Sequence, residues 1–367
     1  MLSDKGIKQA VKKGILAFEP KLREDQIQPA SIDLFYEGID DYEEIKRYPL
    51  KRKDFMEDTL QPGYIYDVET TQSIGARKDL WLFMELRSSL RRLGPYIRIP
   101  TVMATSGVSS IKYGFKAGFE LVNPVENAIK LHKGDKVAQI MCVYEAPSKK
   151  ELNDDRIYFF KDKSEYRELL ELDHGVAIND SSKVHKLSQL GYFSVSKETK
   201  FRKGFIQVHA GKEAYVVRKG VDIDFHNKKS LDDVLERVSL PYKLKPGEHI
   251  AVDTQEYIDL SDKVGMQFYN LPLPITSNEF FSKRFMVDKD LRMVADGWID
   301  PGYKGAFSRQ PKTYYERGVN IKEGDILGYG KLIYFADGVE RSYGSNGLGS
   351  HYQNSNKTIL YPKTEHT

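Results

Sequence analysis

The chain is written twice. Gln61-Pro62-Gly63-Tyr64-Ile65-Tyr66-Asp67-Val68-Glu69-Thr70 returns as Lys245-Pro246-Gly247-Glu248-His249-Ile250-Ala251-Val252-Asp253-Thr254, 184 positions later in a chain of 367. Gly114-Phe115-Lys116-Ala117 matches Gly302-Tyr303-Lys304-Gly305 at an offset of 188, and Leu131-His132-Lys133-Gly134-Asp135 matches Ile321-Lys322-Glu323-Gly324-Asp325 at 190. Three collinear matches at half the chain length point to a duplicated domain with small insertions. The period is too long for a solenoid of roughly 20–50-residue units, and each copy, at roughly 180 residues, is long enough to bury a core. The copies are not chemically equal, so their differences show where function was kept.

Composition narrows the class. With 56 basic against 53 acidic residues the formal net charge is +3, which gives no polynucleotide-binding face, although local basic clusters suit a small anion. The single cysteine, Cys142, excludes intrachain disulfides and a Cys-rich zinc site, and fits a reducing cytoplasm. No apolar run approaches the 18 or so residues of a membrane span, and the N-terminus lacks the apolar core of a signal peptide.

Ser3 is placed to cap a short helix through about Lys13, with Ile7, Ala10 and Val11 on one stripe and Gly14 at its end. The rest reads mainly as strands: Gly63 to Val68, Leu80 to Leu86, Tyr96 to Val102, Ala128 to Leu131 and Lys136 to Tyr144, punctuated by Pro-Gly, Gly-Asp and Asn-Pro turns. The expected fold is mainly β, a barrel or jelly roll in each half, with the short helix in front. We divide the chain into a first domain (1–150), a polar linker (151–190) with a helix expected at Lys163 to Glu171, a second domain (191–342) and a Gly/Ser-rich tail (343–367). Such a tail is either a disordered end or a lid that orders on a ligand.

Four motifs carry chemistry. In Glu85-Leu86-Arg87-Ser88-Ser89-Leu90-Arg91-Arg92-Leu93-Gly94, arginines and serines offer many donors, as a triphosphate requires; the alternative is a solvated basic turn. No G-x-x-x-x-G-K-[ST] run is present, which argues against a P-loop enzyme. Glu120 is a lone carboxylate in an apolar strand, either a general acid/base or simply the solvent-facing member of an alternating strand. Asp33, in Ile27-Gln28-Pro29-Ala30-Ser31-Ile32-Asp33-Leu34, anchors a turn or meets a magnesium ion through water. Asp300, in Gly297-Trp298-Ile299-Asp300-Pro301-Gly302-Tyr303, touches a sugar hydroxyl or caps its turn.

Together these segments resemble the dCTP deaminase branch of the dUTPase-like superfamily. Met1 to Ala10 looks like that family's N-terminal helix, Ile27 to Leu34 like its first signature, Arg87 to Gly94 like its phosphate-binding signature, and Gly134-Asp135-Lys136-Val137-Ala138-Gln139 like the G-D-x-x-A-Q hairpin shared with dUTPases. The match covers most of residues 1–145, and the duplicated layout is similar to the tandem-domain subgroup. The resemblance implies two dUTPase-like β-barrels around a threefold or pseudo-threefold axis in a homo-oligomer, and hydrolytic deamination of dCTP to dUTP and ammonia. Glu120 would shuttle protons at C4 of cytosine and Ser88 would position the water or the base. Arg87, Ser89 and Arg92 would hold the triphosphate, with magnesium carried by the phosphates and no zinc. Asp300 would join the substrate site, and Tyr343, His351 and Gln353 would belong to the closing tail, His351 standing where the family usually has lysine.

The pattern departs from the family in two places. The first copy has Ser110-Ile111-Lys112-Tyr113 where an aspartate precedes the family's Pro-Gly turn, and the run from Gly114 to Glu120 is about two residues short. Asp300 supplies that aspartate in the second copy, but the position matching Glu120 there falls near Ser308 to Gln310, and Thr276-Ser277-Asn278-Glu279 stands near the place of the arginine–serine signature. No single copy holds the whole set. A dUTP diphosphatase or a bifunctional enzyme using Asp300, and a non-catalytic nucleotide-binding regulator, are the competing functions.

Overall fold

The computed structural model describes residues 1–44, 58–76, 80–97, 102–103, 115–143, 172–196, 201–202, 204–227, 234–246, 248–269, 292–293, 297–312, 317–346, 348 and 353–354. The helix expected at Lys163 to Glu171, the segment Thr276 to Glu279 and His351 lie outside the described residues.

The two halves repeat one plan. In the first, helix α1 (Asp4–Lys12) leads to β1 (Leu16–Glu19), β2 (Ile32–Glu44), β3 (Tyr64–Ala76), β4 (Trp81–Leu86), helix α2 (Ser88–Arg91), β5 (Val102–Met103), β6 (Phe115–Asn123) and β7 (Lys136–Val143). The antiparallel neighbours run β6-β3-β2-β7-β4-β5, with β1 on the end of β3. The second half has β8 (Gly175–Ala177), α3 (Ser181–Gln189), β9 (Phe193–Val195), β10 (Phe205–Val217), β11 (Ile250–Leu260), β12 (Val264–Tyr269), β13 (Gly297–Ile299), β14 (Lys304–Arg309) and β15 (Ile326–Phe335). Its neighbours run β14-β11-β10-β15-β12-β13, with β9 on the end of β11. Strand for strand the two orders match, and both halves are mainly β, barrel-like sheets.

The helix before each barrel is built alike. Ser3 accepts from the Gly6 amide at 3.1 Å and α1 buries Ile7 and Ala10, while Gly14 at φ +68° ends it. Asp180 accepts from the Ser182 amide at 2.8 Å, α3 buries Val184 and Leu187, and Gly191 at φ +72° ends it. Residues 175–190, placed in the linker from sequence, therefore belong to the second barrel: β8 pairs with β15, and Ile178 and Phe193 join that half's core. The α3 pattern escaped notice because only two apolar residues in nine face inward.

The halves are packed together, not strung on a tether. Asp4 accepts from the Glu340 and Arg341 amides at 3.0 and 2.8 Å, and the Arg341 guanidinium donates to the Ile27 carbonyl at 2.5 Å. At a second contact the Asn127 amide donates to the Arg218 and Val221 carbonyls, both at 2.6 Å, and Ile223, Phe225 and Val234 of the second half enter the first half's core.

Candidate functional site

The arginine–serine segment is held by packing. The Arg87 amide donates to the Val137 carbonyl at 2.9 Å as β4 ends, and α2 then buries Leu90 completely, as does the following turn with Leu93. Gly94 closes the loop at φ +116°, where an added Cβ would stand 2.3 Å from a Val125 methyl. With its leucines fixed, the segment presents Arg87, Ser88, Ser89, Arg91 and Arg92 along one wall of a cleft.

Asp33 explains how Arg87 is aimed. Its fully buried carboxylate takes the Arg87 guanidinium at 2.8 Å and the Lys136 ammonium at 3.0 Å, and Arg87 also donates to Gln139 at 3.2 Å. Asp33, expected from sequence to anchor a turn or to meet magnesium through water, is a counter-ion to Arg87, carried on β2 and reaching the signature loop across β7.

The opposite wall comes from the second half. Trp298, Asp300, Tyr303, Ser308 and Arg309 line it, with Tyr343 at its rim. The Trp298 indole donates to Asp300 at 2.8 Å. Burial drives the Asp300 carboxyl up to about 6 against the bonds it accepts from Trp298 and the Ala30 amide and the attraction of Arg87, with nearby Asp33 adding to the rise. Gly302, at φ +89°, turns the chain where an added Cβ would lie 2.6 Å from Ser342. The described part of the tail is ordered against this turn. The Tyr343 amide donates to the Pro301 carbonyl at 2.7 Å, its ring packs 5.3 Å from that of Tyr303, and the Gln353 side chain bonds the Gly302 carbonyl at 2.8 Å and the Lys304 amide at 3.0 Å.

The structure therefore brings Arg87, Ser88, Ser89, Arg92, Asp300 and Tyr343 to one cleft, with Gln353 securing the turn behind it. It does not bring Glu120 there. Glu120 is half-buried on β6, opposite Asp67 of β3. Its counterpart in the second half follows from two equivalent hydrogen bonds: Thr70 Oγ1 donates to the Ala117 carbonyl at 2.6 Å, and Thr254 Oγ1 to the Phe307 carbonyl at 3.0 Å. Three residues further on stand Glu120 and Gln310. The strand register agrees, because Asp67 faces Glu120 while Val252 faces Arg309, which sets Ala251, the repeat partner of Asp67, level with Gln310. Ser308 lines the cleft, and Gln310 donates to its hydroxyl at 3.3 Å.

Sequence reasoning placed the counterpart of Glu120 near Ser308 to Gln310 without choosing among them, and gave no role of their own to Arg309 and Glu85, which line the cleft. Arg309 is almost wholly buried, its guanidinium 4.7 Å from the Phe268 ring centre. The repeat pointed at residues 308–310, but only paired strands fix the register.

Comparison with known proteins adds two findings. Residues 1–143 match the family model described as dCTP deaminase-like. The crystal structure of 2'-deoxycytidine 5'-triphosphate deaminase from Agrobacterium tumefaciens is similar in fold at a TM-score of 0.64 and 15% identity, covering 92% of this chain and 98% of that one. A search of curated proteins found no match.

Proposed function

We propose, from a first half that matches the dCTP deaminase-like family model and a fold shared with a dCTP deaminase along nearly the whole chain, that the protein handles pyrimidine deoxynucleoside triphosphates and deaminates dCTP to dUTP and ammonia. One observation carries the nucleotide-binding part of this reading: the Arg87–Arg92 wall of one half faces the Trp298–Asp300 wall of the other across a single cleft, with Tyr343 of the tail at its rim. Arg92, Ser88 and Ser89 would meet phosphate oxygens with short, charge-assisted bonds, and Arg87, held by Asp33, would set their register. Magnesium fits as an ion carried by the triphosphate, whose charge it would offset. The phosphate wall consists of arginines and serines, and among the described residues no group of three His, Cys, Asp or Glu is ready to hold a metal. The proton carrier in this reading is Glu120, on the equivalent strand of the first half. There it would deprotonate a water for attack on C4 and pass protons to N3 and the departing ammonia.

No described helix is long and apolar enough to cross a membrane. Cys142 is buried and unpaired, as suits a reducing cytoplasm.

Incubating the full chain with dCTP and with dUTP, and measuring ammonia and pyrophosphate separately, tests the reading. Ammonia from dCTP supports it, and Glu120→Gln should lower that release by at least ~10². Pyrophosphate from dUTP without ammonia from dCTP would favour the diphosphatase, with Asp300 activating water. Binding without either product would favour a regulator, a reading that Gln310 in the place of a carboxylate supports.

A further inference from the structure

The duplication compares the cleft with itself. Where the first half has Gly118-Phe119-Glu120, the second has Ser308-Arg309-Gln310, so a carboxylate has been lost and a guanidinium gained at matched positions. We infer that the cleft between the halves is a holding site, which binds a pyrimidine deoxynucleoside triphosphate and releases it chemically unchanged. The inference rests on the reading that Glu120 is the proton carrier. The binding groups are all present: Arg87, Ser88, Ser89 and Arg92 on one wall, and Asp300 and the tail at Tyr343 on the other. What is missing is a group that can take a proton at the matched position. The amide of Gln310 does not exchange one near neutrality, and the guanidinium of Arg309 stays protonated.

The carboxylate of Asp300 is committed to another task. It accepts from Trp298 in its own half and from the Ala30 amide of the other half, and so joins the two walls. Arg309 for Phe119 also makes the cleft more cationic, which strengthens retention of a polyanion. Because each wall belongs to a different half, a bound nucleotide would tie the halves together and stabilise the chain in proportion to its occupancy.

The test uses the full-length chain with Glu120→Gln. Calorimetric titration with dCTP, followed by denaturation and chromatography of the bound nucleotide, should show bound nucleotide recovered as dCTP. Ammonia release should fall below a hundredth of wild type. In that background Arg92→Ala should weaken binding at least tenfold, and Ser89→Ala, a milder change in the same loop, should weaken it in the same direction. Unchanged affinity in both would put the nucleotide elsewhere and overturn the inference. So would recovery of dUTP with ammonia release above a tenth of wild type, because Asp300 or Glu85 would then be moving protons in the cleft. A wild type that turns dCTP over while the Glu120→Gln protein binds nothing overturns the holding site and leaves the deaminase reading intact. A wild type that binds dCTP and never releases ammonia sinks the deaminase reading and leaves the holding site standing.

Discussion

Asp33→Asn isolates the device that aims the phosphate wall. The carboxylate is fully buried and pairs with Arg87, whose side chain is 21% exposed, and with Lys136, whose side chain is 37% exposed. The Lys136 pair reaches solvent and contributes little. The Arg87 pair is the costly one to break, since removing one partner of a buried pair destabilises by roughly 3–5 kcal/mol and leaves the other charge uncompensated. Arg87 keeps its bond to Gln139 and some access to water through the cleft, which places the loss near the lower end, about 3 kcal/mol. For a cooperative unit of roughly 150–250 residues, 1 kcal/mol shifts the melting temperature by about 2–4 °C, so a fall of roughly 6–12 °C is expected. Calorimetry of the full chain should show that fall, together with weaker nucleotide binding as Arg87 loses its direction. A fall of under about 2 °C would mean that Asp33 is not holding a buried charge, and the account of how the wall is organised would fail.

Three further outcomes are expected. Asp300 has its folded pKa raised to about 6, so its contribution to stability is fully present below its unfolded value near 4 and is lost as pH rises through 6. Asp300→Asn should remove that slope, a difference on the order of 2 kcal/mol between pH 4 and pH 7 for a half-buried group, and parallel urea curves for both proteins would refute it. Gln353→Ala deletes the amide that bonds Gly302 and Lys304, and should weaken nucleotide binding severalfold while the melting temperature moves by less than about 2 °C. Gly6→Ala would bring a Cβ to 2.0 Å from the Asp173 carbonyl, so a loss of roughly 1–3 kcal/mol is expected, and an unchanged urea midpoint would show that the contact between α1 and residue 173 is loose.

Much of the architecture was legible because the repeat pairs whole strands. Pro62-Gly63 and Pro246 precede the long strands β3 and β11, and the expected strands at Leu80 to Leu86 and Lys136 to Tyr144 correspond to β4 and β7. The first helix announced itself through Ser3 and Gly14. The second was hidden, since Asp180 and Gly191 flank a nine-residue segment with only Val184 and Leu187 buried, and polar residues fill the rest. Asp33 was misassigned for a different reason. A sequence shows an aspartate in an apolar strand but not the guanidinium that a strand two places away in the sheet brings to it.

Neither half holds the whole set, because the cleft is built from both. The cleft takes its phosphate wall from the first half and its opposite wall from the second, so the groups that work together are separated by about half the chain. Arg87 to Arg92 and Asp300 are a matched set despite lying in different copies. Glu120 and Arg92 lie in the same copy and do not share the cleft. A substitution at Gln310 would therefore act on the cleft through the Ser308 hydroxyl that it bonds, whereas Glu120 is not among the residues that line it. Such crossing lets binding and proton transfer diverge within one chain, because the arginine–serine loop and the strands that face it come from different halves.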